Sequence, residues 1–267
     1  KKYDNNIINS NNNNNNFQYE NKKNDVLNIF DNFSQINSND IKKIMYNLKH
    51  KKIKYKNLKE QIENINVDAL EKLEEEGKKV YPPTKALRII QNKAKQKLFY
   101  VDHGIPTAEF HRFAYKSEIE DSVLNGGLEF PFIWKAAQFG YDGQGVKVVR
   151  SIEDLEGLPT GECIAEEMID FKNELAVIVA RNVSGEVKTY PVVEMEFHPE
   201  ANQVEYVICP ARISDDVAKK AQEIALKVSD KIQQVGLLAV EMFQTQDDEI
   251  LVNEVAPRPH NSGHYSI

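Results

Sequence analysis

The first 76 residues contain no glycine, and there is no alanine before Ala69 and no proline before Pro82. Residues 1–60 also lack arginine. The whole chain has two cysteines, Cys163 and Cys209, both in apolar strand-like runs. Two thiols make no disulfide framework and fit a reducing cytosol. No apolar stretch approaches the length of a membrane span, and no signal peptide is visible. The first residue is Lys rather than Met, from which we expect that the natural start lies upstream.

What is present divides into two regimes. Asparagine dominates the opening residues, with the unbroken run Asn11–Asn16. Of the chain's 34 Lys and Arg and 41 Asp and Glu, residues 1–60 hold 12 Lys and 6 acidic residues, a net of +6; the rest holds 22 and 35, a net of −13. An Asn-rich tract has too few apolar groups to offset the entropy of ordering. Residues 1–60 are therefore read as a low-complexity leader. It is disordered to about residue 37 and helical from Asp40 to about Glu63, with Ser38 or Asn39 as cap and Ile41, Ile44, Met45 and Leu48 on one face. The lysines between Lys49 and Lys56 could form a nucleic-acid patch. A solvated face fits better, because no aromatics are interleaved for base stacking and the chain as a whole is acidic.

Beyond residue 60 the pattern is α+β, with antiparallel hairpins rather than regular βαβ alternation. Helices are expected at Val67–Glu76, stopped by Gly77, and at Thr84–His103, with Thr84 as cap and Leu87, Ile90, Ala94 and Leu98 in phase. A third is expected near Ser117–Leu124 and a fourth at Ser214–Val235, capped by Ser214 with two Asp in its first turn. Short strands are expected at Lys79–Tyr81, Thr107–Phe113, Phe130–Ala137 and Val146–Arg150, with a turn of helix at Ile152–Leu155. From Cys163 onward strands dominate: 163–169, 174–182, 186–197 and 203–209, then two at the end of the chain.

Those last two strands carry the chemistry. Leu237–Gln244 is apolar except for Glu241. The strand after Glu249 carries Asn253 and Glu254 between Val252 and Val255. Burying an unpaired carboxylate is costly, so a positive group is expected beside Glu254. A symmetric loop centred on Asp247 and Asp248 would pair Thr245 with Ile250 and set Glu241 opposite Glu254 on one face. Facing carboxylates repel unless a hard divalent cation lies between them. Mg²⁺ favours a few carboxylates together with substrate phosphates. The alternative is that both glutamates point to solvent from a half-buried sheet. Directly after the strand come Pro257, Arg258, His260, Asn261, Ser262 and His264.

Lys135 sits in the apolar run FPFIWKAA and needs an anionic partner if buried; nucleotide phosphate is a good one. Gly140, Gly143 and Gly145 follow, leaving backbone N–H groups unobstructed for a phosphate. The alternative is a flexible hairpin with a snorkelling lysine. The run Glu166-Glu167-Met168-Ile169 could hold adenine through backbone groups while Met168 and Ile169 cover its face. Glu174 follows, and as a residue type it equally suits the polar opening of a strand.

In order, FIWKAAQFGYDGQGV (Phe132–Val146), ECIAEEMI (Glu162–Ile169) and NEVAPRPHNSGH, with a Glu on the preceding strand, resemble the lysine strand and glycine loop, the adenine hinge and the metal strand of the 5-(carboxyamino)imidazole ribonucleotide synthases. That family belongs to the ATP-grasp superfamily. The likeness runs from about Ile62 to the last residue. It implies two α+β lobes with antiparallel sheets, MgATP and bicarbonate as reactants, 5-aminoimidazole ribonucleotide as acceptor, no nucleic acid or membrane partner, a cytoplasmic location and a homodimer. It further implies that Lys93, Lys135, Gly140, Gly143, Gln144, Gly145, Val146 and Asn253 hold the nucleotide with Glu166–Ile169, that Glu174 accepts from the ribose, and that Glu241 and Glu254 ligate Mg²⁺. Tyr141 and Asp142 fall near the ribonucleotide, and His198 near the nucleotide, unless it is an ordinary strand-end histidine. At Lys93 relatives use Arg, so a bidentate contact becomes a point charge. Arg258 would hold bicarbonate and then carboxyphosphate. His260 and Asn261 would orient the acyl group; the alternative is a polar C-terminal tail.

The resemblance divides the chain into the leader, a remnant of a Rossmann-like domain at 61–83, and an ATP-grasp domain at 84–267 that stops short of the family's C-terminal end. The glycine turn that opens the family's first domain has no counterpart here, because residues 1–76 hold no glycine. Three functions remain open at this point. They are the synthase or a portion of one, including a truncated portion that binds nucleotide without turnover; another ATP-grasp ligase such as a formate- or biotin-dependent relative; and a non-enzymatic truncated or fused polypeptide whose Asn-rich arm serves only association or display.

Overall fold

A computed structural model describes residues 65–138, 145–197 and 204–266. The expectations for the leader, for Gly140, Tyr141, Asp142, Gly143 and Gln144, and for His198 lie outside the described residues.

Helix α1 (Val67–Glu75) starts at Asn66, whose side chain accepts from the Ala69 N–H, and ends before Gly77 at φ 79°. The strand expected at Lys79–Tyr81 does not form; the chain passes through a bend to Pro82-Pro83. The long helix expected from Thr84 to His103 is two helices, α2 (Thr84–Ile90) and α3 (Lys93–Asp102). Thr84 is not a cap. Pro83 holds that position, and the Thr84 hydroxyl donates to Glu74. The break at Gln91–Asn92 has a local cause. Asn92 is extended (φ −132°, ψ 111°), and its side chain accepts from the Lys95 N–H at 2.9 Å, so it caps α3 instead of continuing α2. The break resets the helical phase. Leu98 is exposed, and Gln96, Lys97, Phe99 and Tyr100 are buried in its place.

Two antiparallel sheets follow. The first has the order β1-β4-β2-β3, from β1 (Phe110–Phe113), β2 (Phe132–Ala136), β3 (Val146–Val149) and β4 (Cys163–Glu167). Helix α4 (Lys116–Leu124) and a 3₁₀ turn at Ile152–Leu155 cover one face, and Ile119, Phe132, Trp134, Val149 and Leu155 form the core there. The second sheet has the order β10-β9-β5-β7-β8, with β6 (Val187–Thr189) beside β5 (Phe171–Arg181). Its other strands are β7 (Val193–Phe197), β8 (Val204–Ile208), β9 (Gly236–Thr245) and β10 (Ile250–Ala256). Helix α5 (Asp215–Ile232), capped by Ser214, packs Val217, Ala221, Ile224, Ala225 and Val228 onto Leu175, Val177, Leu238 and Val240. It stops three residues before the expected Val235 because Gln233 turns left-handed at φ 56°. The run 186–197 is two strands rather than one, parted at Tyr190–Val192.

The register between β9 and β10 decides what the second sheet presents. The hairpin loop is not symmetric. Asp248 sits at φ 63°, and Thr245 N–H donates to Glu249 O at 2.9 Å. Ile250 therefore faces Gln244, not Thr245. A bulge between Val252 and Glu254 then absorbs one residue, so Glu254 does face Glu241. Because the β5–β9 pairing is regular from Asn173 onward, Glu174, Ala176, Glu241, Phe243 and Glu254 share the sheet face turned away from α5.

Asn92→Ala removes the α3 cap and the Asn92 amide bond to Glu162 (2.9 Å). We expect it to cost about 1–2 kcal/mol in urea unfolding of the ligand-free chain. An unchanged midpoint would show that the helix break does not depend on this side chain.

Candidate active site

Lys135 stands on β2 and Glu166 beside it on β4; both side chains are on the sheet face that carries α3. The Lys135 Nζ lies 2.7 Å from Glu166 Oε2 and donates to Asn253 Oδ1 at 2.9 Å. Lys135 is 8 % exposed, so it does not snorkel to water. Asn253 belongs to the other sheet. In a regular strand Asn253 and Glu254 would point to opposite faces. The bulge lets both turn toward the lysines, and Glu254 pairs with Lys93 at the start of α3. The positive group expected beside Glu254 is thus Lys93. Lys97, one turn further on and 2 % exposed, lies 3.2 Å from Glu166 Oε1 and donates to Thr107 Oγ1 at 2.6 Å.

His260 Nε2 is 3.0 Å from Glu241 Oε1. The Ser262 N–H donates to His260 Nδ1 at 3.3 Å, so the neutral ring carries its proton on Nε2 and donates it to Glu241. The 3₁₀ turn Asn261–Ser266 brings this pair in by folding over the second sheet, with Gly263 against Ile178. A side chain there would meet the Ile178 side chain at 3.5 Å. Arg258 is buried just before the turn and donates to Pro259 O at 3.3 Å. Asn261 is half-buried at its start.

The charges answer to these contacts. Burial pushes the Glu254 carboxyl up, but Lys93, then Lys135, outweigh it and hold the group well below the ordinary range. For Lys93 burial works downward and is overcome by Glu254, Glu166 and Glu241, so its ammonium is strengthened. Glu166 is likewise raised by burial and lowered further by Lys135 and Lys97. Lys97 goes the other way: burial, aided by Lys135 and Lys93, outweighs Glu166 and brings it down to about 8. Glu174 is pushed up to about 7 by burial and by Glu241, with only Lys135 opposing.

The donor set fits a hard divalent cation. Two carboxylates, Glu241 and Glu254, face each other on one sheet face, each now answered by a positive or proton-donating group. No cluster of three or more His, Cys, Asp or Glu ligands exists among the described residues, so further ligands would have to come from phosphate or water. The same cluster offers Lys93 and Lys135 to an anion.

The structure thus brings together Lys93, Lys135, Glu166, Glu174, Glu241, Asn253, Glu254 and His260. Gly145 adopts φ 78° at the edge of the glycine loop, and Val146 opens β3 partly exposed. The hinge divides by face. Glu166 points to the lysines, whereas Glu167, on the opposite face, lines a groove of about 840 Å³ with Met168, Ile169, His111 and Phe132. Met168 is exposed there, so its side chain does not yet cover a ligand on the lysine side. Sequence reasoning missed Lys97 and Thr107. Lys97 follows Lys93 by one helical turn, and that spacing was the available signal.

An ATP-grasp domain model matches residues 98–267. The N5-carboxyaminoimidazole ribonucleotide synthase of Bacillus subtilis is 39 % identical over 213 residues, covering 78 % of this chain and 54 % of that protein. The crystal structure of carboxyaminoimidazole ribonucleotide synthase from Aspergillus clavatus complexed with ATP superposes with a TM-score of 0.71 at 38 % identity, covering 77 % of this chain and 54 % of that one. A structure of the Aspergillus clavatus enzyme in complex with ADP and 5-aminoimidazole ribonucleotide gives 0.67 at 36 % identity, covering 75 % and 52 %. The chain spans about half the length of the relatives it matches.

Glu174 carries a pH signature. Its folded value of about 7 exceeds the ordinary 4.5, so the folded state holds a proton that the unfolded chain has released, and that stabilisation is lost as pH rises through 7. Glu174→Gln removes the charge. We expect the ligand-free variant to melt higher than the natural chain at about pH 8 and level with it below about pH 5. Equal melting temperatures at both pH values would contradict the assignment.

Proposed function

We propose, from the premise that this chain belongs to the ATP-grasp family, that residues 84–267 bind MgATP between the two sheets and use it to activate bicarbonate for transfer to the amine of 5-aminoimidazole ribonucleotide. The observation that carries the reading is the bulge at Asn253, which turns a carboxamide and a carboxylate of one sheet toward Lys135 and Lys93. In the same reading residues 61–83 are the end of a preceding domain and residues 1–60 a leader.

Each residue then has a task. Lys93 and Lys135 exchange their carboxylate and amide partners for phosphate oxygens. The backbone of Glu166–Ile169 holds adenine, and Glu174 meets the ribose hydroxyls. The loop from Gly140 to Val146, including Gln144, covers the phosphates, with Tyr141 and Asp142 toward the ribonucleotide and His198 toward the nucleotide. Glu241 and Glu254 would hold Mg²⁺, which when bound neutralises the phosphate oxygens in flight. A bicarbonate oxygen attacks the γ-phosphorus and ADP leaves, giving carboxyphosphate. Arg258 faces its negative charge, and His260 and Asn261 orient its acyl group. Carboxyphosphate breaks to phosphate and CO₂; the ribonucleotide amine captures the CO₂ and loses a proton to become a carbamate. Partner contacts are a homodimer by family resemblance, and the location is the cytoplasm. Among the described residues no helix is long and apolar enough to cross a membrane.

Saturating MgATP should raise the melting midpoint of the chain, since a ligand that binds only the folded form must stabilise it; about 2–4 kcal/mol is expected at a hundred- to thousandfold excess over Kd. Lys135→Met should abolish that rise. ADP release should require both bicarbonate and the ribonucleotide. Release that ignores the omission of either would reject the synthase reading, and a midpoint unmoved by nucleotide would reject the site itself. A raised midpoint without turnover would leave a nucleotide-binding portion of the synthase.

A further inference from the structure

The bulge has to be held in place, and residues beyond the lysine–carboxylate cluster take part in holding it. Strand β10 lies at the edge of its sheet, so its outward backbone groups need partners from elsewhere. Val252 N–H donates to Pro106 O at 2.8 Å, and Val252 O accepts from Thr107 Oγ1 at 2.7 Å. On the far side of the bulge, Val255 N–H donates to Gln96 Oε1 at 3.3 Å. The two bulged residues, Asn253 and Glu254, are thus clamped at both ends by α3 and the segment that follows it.

Thr107 is fixed in direction as well as place. Its hydroxyl donates to Val252 O, so its lone pairs accept from Lys97 Nζ. Lys97 faces Glu166, Glu166 pairs with Lys135, and Lys135 donates to Asn253, the residue directly after Val252. The contacts close a ring: Glu166, Lys97, Thr107, Val252–Asn253, Lys135 and back to Glu166. The link from Lys97 to Glu166 is an ion pair at 3.2 Å. Every other link is a hydrogen bond or charge-assisted pair of 2.6–2.9 Å, the covalent step within β10 apart.

We propose that Thr107, supported by Lys97, is a positioning residue for the nucleotide site: it sets the bulge that aims Asn253 and Glu254 and, through Glu166, the ammonium of Lys135. The proposal rests on the nucleotide-binding reading above. Thr107 touches no ligand in this account; its hydroxyl transmits position between the two sheets. A side chain of the same shape without the hydroxyl leaves Val252 O and one Lys97 donor unanswered, and the bulge is then free to relax toward a regular ladder.

The test is calorimetric titration of the full 267-residue chain with MgADP, together with melting of the ligand-free forms. Thr107→Val should weaken MgADP binding by roughly tenfold, the size of one lost hydrogen bond, while the melting temperature of the ligand-free protein falls by only a few degrees. Thr107→Ser, which restores the hydroxyl, should return the affinity. If Thr107→Val does not fold, Thr107→Ala is titrated in its place against Thr107→Ser. Affinity unchanged in the hydroxyl-less variant, or lost equally in the serine variant, overturns the proposal. Binding by the natural chain that is unaffected by the substitution sinks this inference alone. Absence of MgADP binding by the natural chain sinks the nucleotide reading and this inference with it.

Discussion

A single ammonium group ties the two sheets together. Lys135 Nζ is buried between Glu166 of one sheet and Asn253 of the other, at 2.7 and 2.9 Å. Removing an ammonium from water costs several kcal/mol, recovered only if the geometry of its partners is good. That requirement restricts both sheets. The first must place Glu166 next to Lys135, which the β2–β4 register does by setting Ile133 opposite Glu166. The second must bring a carbonyl oxygen to the same point, which a regular β10 that also presents Glu254 cannot do. The bulge is the structural answer to that demand.

The remaining polar groups follow a common pattern in which each carboxylate is answered across an element boundary. Lys93 meets Glu254, Lys97 and Lys135 share Glu166, and His260 faces Glu241. Under the proposed function these are the groups that Mg²⁺ and phosphate would engage. Metal alone would have to displace Lys93 from Glu254 and leave an ammonium without a partner. Phosphate alone would draw Lys93 away and leave a carboxylate exposed to Glu241. Arriving together, the two exchange one set of opposite charges for another without stranding any ion. Under the proposed function the arrangement would therefore favour the metal–nucleotide complex over either component, by the charge balance of the protein's own side chains.

Much of this was legible in the sequence, and the parts that were not have physical reasons. An amide and a carboxylate inside an apolar strand point to the candidate site and require a cation beside Glu254, which is Lys93. The facing of Glu241 and Glu254 was also foreseen, but by a register that is off by one residue at the turn. Asp248 in the left-handed conformation makes the loop one residue shorter than a symmetric one, and the bulge at Asn253 restores the offset. Neither is visible in a hydrophobic pattern, since both Gln244 and Thr245 are acceptable partners for Ile250. The helix break at Asn92 was missed for a related reason. Asparagine is tolerated within a helix, and only the Lys95 contact shows it acting as a cap. Leu98, read as in phase with the core, is exposed, and Lys97 beside it is among the buried lysines of the described residues, a position for which the hydrophobic pattern gives no expectation.

Three carboxylates share the working face of the second sheet, and their surroundings set them apart. Glu254 has Lys93 in direct contact and is held firmly ionised. Glu241 is met by the Nε2–H of His260. Glu174 is desolvated and repelled by Glu241, with Lys135 as its counterweight, so near pH 7 it is divided between acid and carboxylate. Neighbouring groups of one chemical type whose environments push their protonation apart are suited to different tasks. The two glutamates already answered by positive or donating groups are prepared for a cation. Glu174 can donate a hydrogen bond in one state and accept in the other, which suits a neutral hydroxyl partner such as a sugar and suits a metal ion poorly. Under the proposed function, the placement of Lys93 and His260 relative to three otherwise identical side chains is what would separate metal from ribose.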